Sequence, residues 1–134
     1  MKTEEELVID YLKSKKLENI LPQIQEYVDL LLDWNQKINL IGKSTENQIW
    51  ERHILDSIQL LDFMENKELS FADFGSGAGL PGIVLSISGI KNITLLEKSF
   101  RKCEFLEEAK KISKNKINII NKNSKDIYDL KFDI

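Results

Sequence analysis

The residues best suited to chemistry lie in one stretch, Asp73-Phe74-Gly75-Ser76-Gly77-Ala78-Gly79-Leu80-Pro81-Gly82. Glycines let a backbone turn sharply and let a ligand approach the main chain without meeting a Cβ. The stretch follows a short apolar run and opens a helical one, which is the setting a nucleotide-type cofactor turn requires. A helix in that position offers free amides and a partial positive charge to an anion. Elsewhere the chemistry-bearing residues are sparse. There is one histidine, His53, and one cysteine, Cys103. A zinc site built on Cys and His is therefore not expected, nor is any other metal site. Cys103 falls among helical positions and reads as a small buried residue.

Two cofactors fit the glycine spacing. Gly77-Ala78-Gly79-Leu80-Pro81-Gly82 matches the dinucleotide pattern G-x-G-x-x-G, which points to a nicotinamide-dependent oxidoreductase. The other register, Gly75-Ser76-Gly77-Ala78-Gly79 with Asp73 two residues ahead, is the pattern of S-adenosylmethionine enzymes. Asp73 favours the second, because a carboxylate there opposes a pyrophosphate and suits an ammonium. Pro81 also removes an amide that a pyrophosphate would use. Glu97, after the next apolar run, stands where it can hold both ribose hydroxyls of either cofactor.

The surrounding elements follow from periodicity. Thr3 with Glu6 makes a capping box, and Thr45 with Gln48 makes a second. Pro22 suits the first turn of a helix. Ile24, Tyr27, Val28, Leu31, Leu32 and Trp34 then recur at helical spacing, as do Trp50, Ile54, Ile58 and Leu61. Near Leu69 the period changes. Leu69 to Phe74, Ile93 to Leu96 and Ile117 to Ile120 read as buried strands, with the start of a fourth at Lys131 to Ile134. Pro81 to Ser88 and the amphipathic segment Phe100 to Ser113 read as helices between them. Alternating strand and helix predict an α/β fold with a parallel sheet. Residues 1–67 form a helical N-terminal cap, and 68–134 form the first half of an α/β domain.

The chain has 134 residues and is 42% hydrophobic and 31% charged, which suits one globular unit. No apolar run reaches the ~20 residues of a membrane helix, and the acidic start is unlike a targeting peptide. A cytoplasmic protein with no membrane partner is expected. The net charge is −3, but residues 98–125 hold nine basic side chains against three acidic ones. That stretch is either a face for nucleic-acid phosphates or a solvated lysine-rich surface.

These residues together resemble the bacterial small-subunit ribosomal RNA methyltransferase G family, also called glucose-inhibited division protein B. The similarity runs from Tyr27 onward. It rests on Trp34-Asn35 followed by Asn39-Leu40, on Arg52-His53-Ile54-Leu55-Asp56-Ser57, and on the turn Gly75 to Gly82 with Ile83. Thr94-Leu95-Leu96-Glu97, Arg101 and Phe105-Leu106 follow in order. The resemblance implies a Rossmann-like class I methyltransferase sheet behind a helical N-terminal part, with the C-terminal strands missing here. It implies S-adenosylmethionine as cofactor and methylation of N7 of a guanine in the 530 loop of 16S rRNA. The partner is then 16S rRNA or the small ribosomal subunit.

By position, Gly75, Gly77, Gly79 and Leu80 match the family's cofactor loop, and Glu97 matches its ribose-side acid. Ser124 and Lys125 match the place that borders the adenine, although the family's Arg-x-Glu-Glu there is replaced by Asn123-Ser124-Lys125-Asp126. Guanine N7 carries a lone pair and no proton, so no catalytic side chain is expected, only positioning. His53 is expected to orient the helical cap against the sheet by hydrogen bonding. The tryptophans and tyrosines are expected in the core. A catalytically inactive remnant that binds cofactor or RNA is the alternative reading.

Overall fold

The structure, a computed structural model, describes residues 1–64 and 66–122. The chain opens with two helices, α1 (Glu4–Ser14) and α2 (Leu21–Asn35). Thr3 caps α1 through a full capping box. Its hydroxyl accepts from the Glu6 amide at 3.1 Å, and the Glu6 carboxylate accepts from the Thr3 amide at 3.2 Å. Three glutamates in the first turn face the positive end of the helix dipole. Pro22 lies in the first turn of α2, and Ile24, Tyr27, Val28 and Leu31 form its buried stripe.

Asn35 ends that stripe and sets the path of the chain beyond it. Its side-chain oxygen accepts from the Leu40 amide at 2.8 Å and from the Ile41 amide at 3.0 Å. The spacing of Trp34-Asn35 from Asn39-Leu40 thus has a structural cause: one buried amide replaces the partners that the loop backbone lacks. A 3-10 segment, Lys43–Gln48, follows, then a π-helical segment, Trp50–Leu55, the short α3 (Asp56–Ile58) and a final 3-10 stretch, Gln59–Phe63. The expected capping box at Thr45 is not formed. Thr45 sits inside the 3-10 segment, and its hydroxyl donates to the Gly42 carbonyl at 2.8 Å. A hydroxyl three residues from a free carbonyl takes that partner as readily as it caps a helix.

Three parallel strands follow in the order β1 (Ser70–Phe74), β2 (Asn92–Leu96) and β3 (Lys116–Ile120). Between them lie α4 (Gly82–Ile87) and α5 (Phe100–Ala109), the latter tightening into a 3-10 turn over Lys110–Ile112. The expected helix from Phe100 therefore ends earlier as an α-helix, while Cys103, Leu106 and Ala109 keep their buried stripe. Ile93, Thr94, Leu95 and Leu96 are consecutive buried residues, as a strand covered on both faces requires.

Every residue of α4 is buried. It contacts β2 on one side and α2 and α3 on the other. One apolar cluster consequently runs from Val8 and Leu12 through Tyr27 and Leu31 to Ile83, Leu95 and Phe105. No helix among the described residues is long and apolar enough to cross a membrane. The expected fourth strand, Lys131 to Ile134, lies outside the described residues, as do Ser124 and Lys125.

Candidate functional site

The register of the sheet creates a level ledge. Phe74 pairs with Leu96, and Leu96 with Ile120, so the strands end side by side. Loops leaving the carboxyl ends of such strands are where open α/β sheets bind ligands. The first loop is the glycine turn. Its entry is fixed by the amides of Gly75 and Ser76, which both donate to the Leu96 carbonyl, at 2.8 and 3.0 Å. The Gly79 amide donates to the Ser76 carbonyl at 2.7 Å and closes the bend.

The glycines of this turn divide into two kinds. A Cβ on Gly75 would meet nothing within 4 Å, and one on Gly77 only the Gly75 carbonyl at 4.0 Å. Both have positive φ, 70° and 49°. These two leave open space over the backbone. A Cβ on Gly79 would come within 2.4 Å of the Ile83 side chain, and one on Gly82 within 2.3 Å of Leu95. These two serve the packing of α4 and α5 against the sheet. Leu80 is half-buried at the end of the turn.

Two buried carboxylates bracket the open part. Glu97 follows β2 directly, and its oxygens accept from the Gly77 amide and the Ser99 amide, each at 2.8 Å. It therefore ties the first loop to the second, and each oxygen keeps a further lone pair. Asp73, the penultimate residue of β1, accepts from the Gly82 amide at 3.2 Å. Burial, opposed by that hydrogen bond and reinforced by the charge of Glu97, pushes the Asp73 pKa up to about 6. Neither carboxylate forms an ion pair among the described residues.

The expectation that α4 offers free amides to an anion is not met. Pro81 has no N–H, the Gly82 amide is taken by Asp73, and the Ile83 amide donates to the Gly79 carbonyl at 2.7 Å. The strand and the turn thus already take the first two amides of the helix. Two buried carboxylates beside an open backbone suit a cation, and they oppose a pyrophosphate. The ammonium and sulfonium of S-adenosylmethionine suit this donor set better than the pyrophosphate of a dinucleotide does.

Sequence reasoning missed two groups that hold the site. Tyr27 of α2 is fully buried, and its hydroxyl donates to the Ala78 carbonyl at 2.5 Å. Its pKa is raised well above the usual value by burial and by the charge of Asp73. It is thus a core tyrosine, as expected, and also the link between cap and turn. Asn121, after β3, donates to the carbonyls of Glu97 and Lys98 at 2.9 and 3.1 Å. His53 does not join the cap to the sheet. Its Nε2 lies 3.0 Å from the Thr45 hydroxyl, so the bond stays within the cap. Burial lowers its pKa.

A parallel α/β sheet, with a glycine turn after its first strand and an acid after its second, defines a Rossmann-like methyltransferase fold. Within that class, residues 20–134 match the family described as rRNA small subunit methyltransferase G. The chain belongs to that family. It is 50% identical over 102 residues to the ribosomal RNA small subunit methyltransferase G of Rickettsia rickettsii, and equally so to that of Rickettsia africae. To the protein of the same description from Rickettsia bellii it is 49% identical. Each comparison covers 76% of this chain and 53% of the relative. The chain spans about half the length of the curated relatives it matches.

Proposed function

We propose that this chain carries the cofactor-binding half of an S-adenosylmethionine-dependent methyltransferase that acts on N7 of a guanine in the 530 loop of 16S rRNA. The observation that carries the reading is the pair of buried carboxylates, Asp73 and Glu97, without an ion pair among the described residues, near open backbone at Gly75 and Gly77. When bound, S-adenosylmethionine supplies an electrophilic methyl group on a sulfonium. Gly75 and Gly77 admit its amino-acid end against the main chain. Asp73 provides negative charge near the ammonium, and the spare lone pairs of Glu97 accept from the ribose hydroxyls. Leu80 closes the turn on its apolar side and Gly79 sets the bend by packing, while for Ser124 and Lys125, outside the described residues, a place beside the adenine follows from the family resemblance alone.

No side chain has to take a proton, because guanine N7 presents a lone pair. The protein's part is alignment and the exclusion of water, and such positioning supplies roughly 7–11 kcal/mol of a barrier. The expected setting is the cytoplasm, with the rRNA or the small subunit as partner.

Calorimetry with S-adenosylhomocysteine and with NAD tests the cofactor. The homocysteine derivative should bind and NAD should not, and tighter NAD binding would overturn the assignment. Tritium transfer from labelled S-adenosylmethionine to 16S rRNA, run beside a full-length relative, tests the activity. Cofactor binding without transfer identifies the second reading, a non-catalytic binding unit.

A further inference from the structure

The segment Arg52-His53-Ile54-Leu55-Asp56-Ser57 lies outside the glycine turn. It forms one side of a cavity of about 250 Å3 whose other side is Leu80 and Pro81, the end of the glycine turn. Leu60 adds to the apolar wall, while Arg52, His53 and Asp56 supply polar groups. Arg52 and Asp56 are four residues apart and of opposite charge, yet neither forms an ion pair among the described residues. The Arg52 Nε donates instead to the Gln48 side chain at 3.2 Å. The cause is local. Trp50–Leu55 is wound as a π-helix, which is wider than an α-helix, so residues four apart no longer stack. A carboxylate and a guanidinium are thereby presented to the cavity separately.

We propose that this cavity receives the target guanine, read along its Watson–Crick edge by the Asp56 carboxylate. The proposal rests on the guanine-N7 reading above. Guanine alone among the RNA bases has two adjacent donors on that edge, N1–H and the N2 amine. They match the two oxygens of one carboxylate. Arg52 donates to the neighbouring O6. Reading this edge leaves N7, on the opposite edge, free to face the cofactor side of the turn. Leu60, Leu80 and Pro81 cover the ring faces. The cavity has room for one purine base, which would enter unstacked, as base-modifying enzymes require.

The test is a series of amide-shift titrations of the whole chain, with S-adenosylhomocysteine present, using guanosine, inosine and adenosine. Guanosine should move the resonances of Arg52, His53, Asp56 and Leu80. Inosine, which lacks the N2 amine, should bind about fivefold more weakly, and adenosine more weakly still. Asp56→Asn should lower guanosine affinity by about tenfold and abolish the preference over adenosine. Its S-adenosylhomocysteine affinity, measured by calorimetry, should stay within about twofold. Equal binding of guanosine and adenosine by the unsubstituted chain overturns the proposal. So do shifts confined to other surfaces, or a folded Asp56→Asn protein that binds guanosine undiminished. If Asp56→Asn fails to fold, the nucleoside series on the unsubstituted chain decides. S-adenosylhomocysteine binding without guanosine selectivity removes this cavity and leaves the cofactor reading intact. Loss of both overturns both.

Discussion

Burial of the Asp73 carboxylate beside Glu97 makes folding stability depend on pH in a defined direction. Its pKa in the folded chain is about 6, against ~3.9 in an unfolded one. Below about pH 4 both states hold the proton. Between there and pH 6 the unfolded chain releases it while the folded chain keeps it, so stability falls as pH rises. Above pH 6 the penalty is constant. Asp73→Asn keeps an acceptor for the Gly82 amide and removes the buried charge. It should therefore stabilise the cofactor-free chain at pH 7 by up to ~3 kcal/mol and leave it nearly unchanged at pH 4. Urea denaturation at the two pH values measures this. The same substitution should weaken S-adenosylhomocysteine binding by about tenfold, since it deletes charge near the ammonium. The glycines give a second contrast. Gly77→Val strains a positive-φ position by roughly 1–2 kcal/mol and fills the open space, so cofactor binding should vanish while circular dichroism shows the fold retained. Gly79→Ala drives a methyl into Ile83 and Leu106, and its main effect should be a loss of stability of roughly 1–3 kcal/mol or more.

At the level of elements, Tyr27 makes α2 part of the cofactor turn. Tyr27→Phe preserves the ring packing against Phe105 but leaves the Ala78 carbonyl without its buried donor. A loss of roughly 1–2 kcal/mol is expected by thermal or urea unfolding, together with severalfold weaker S-adenosylhomocysteine binding. This link was not legible in the sequence. A tyrosine at a buried helical position looks the same with or without a bond to a carbonyl 51 residues away. The strands were legible, because short apolar runs bounded by glycine and polar residues have few other uses. The places of the glycine turn after β1, of Asp73 near the end of β1 and of Glu97 after β2 were legible from spacing. The division of labour among the glycines was not, since it depends on which way each Cβ would point. The stretch after Gly42 misled in two ways. Its Thr45 and Gln48 have the types of a capping box, but Gly42 takes the hydroxyl. Its Trp50, Ile54, Ile58 and Leu61 stripe suits an α-helix, whereas π-winding through Leu55 and a 3-10 end beyond Ile58 bury Ile54 and Ile58 equally well.

Across the whole molecule, charge is arranged around the ledge. Lys110 and Lys111 are neutralised by Glu107 and Glu108, while Lys98 and Arg101, one and four residues beyond Glu97, are exposed and form no ion pair among the described residues. If RNA approaches the cofactor side, Arg101→Glu should weaken binding of a 16S rRNA fragment severalfold and reduce the slope of affinity against salt by about one or more. A slope unchanged from the parent chain would assign these residues to plain solvation. The pattern of pairings also sets an order of events as the chain folds. Ser70 pairs with Asn92, and Asn92 with Lys116, so each strand closes a short piece of chain onto the one before it. The cap is different. Its bonds reach from Tyr27 to Ala78 and from Gln23 to the Ile112 carbonyl, across 51 and 89 residues. Closing those long loops costs more entropy than zipping the sheet. On a ribosome, where the amino end emerges first, the cap helices must wait for their seat to be built. The cap should therefore dock last, so Tyr27→Phe should speed unfolding while leaving the folding rate almost untouched.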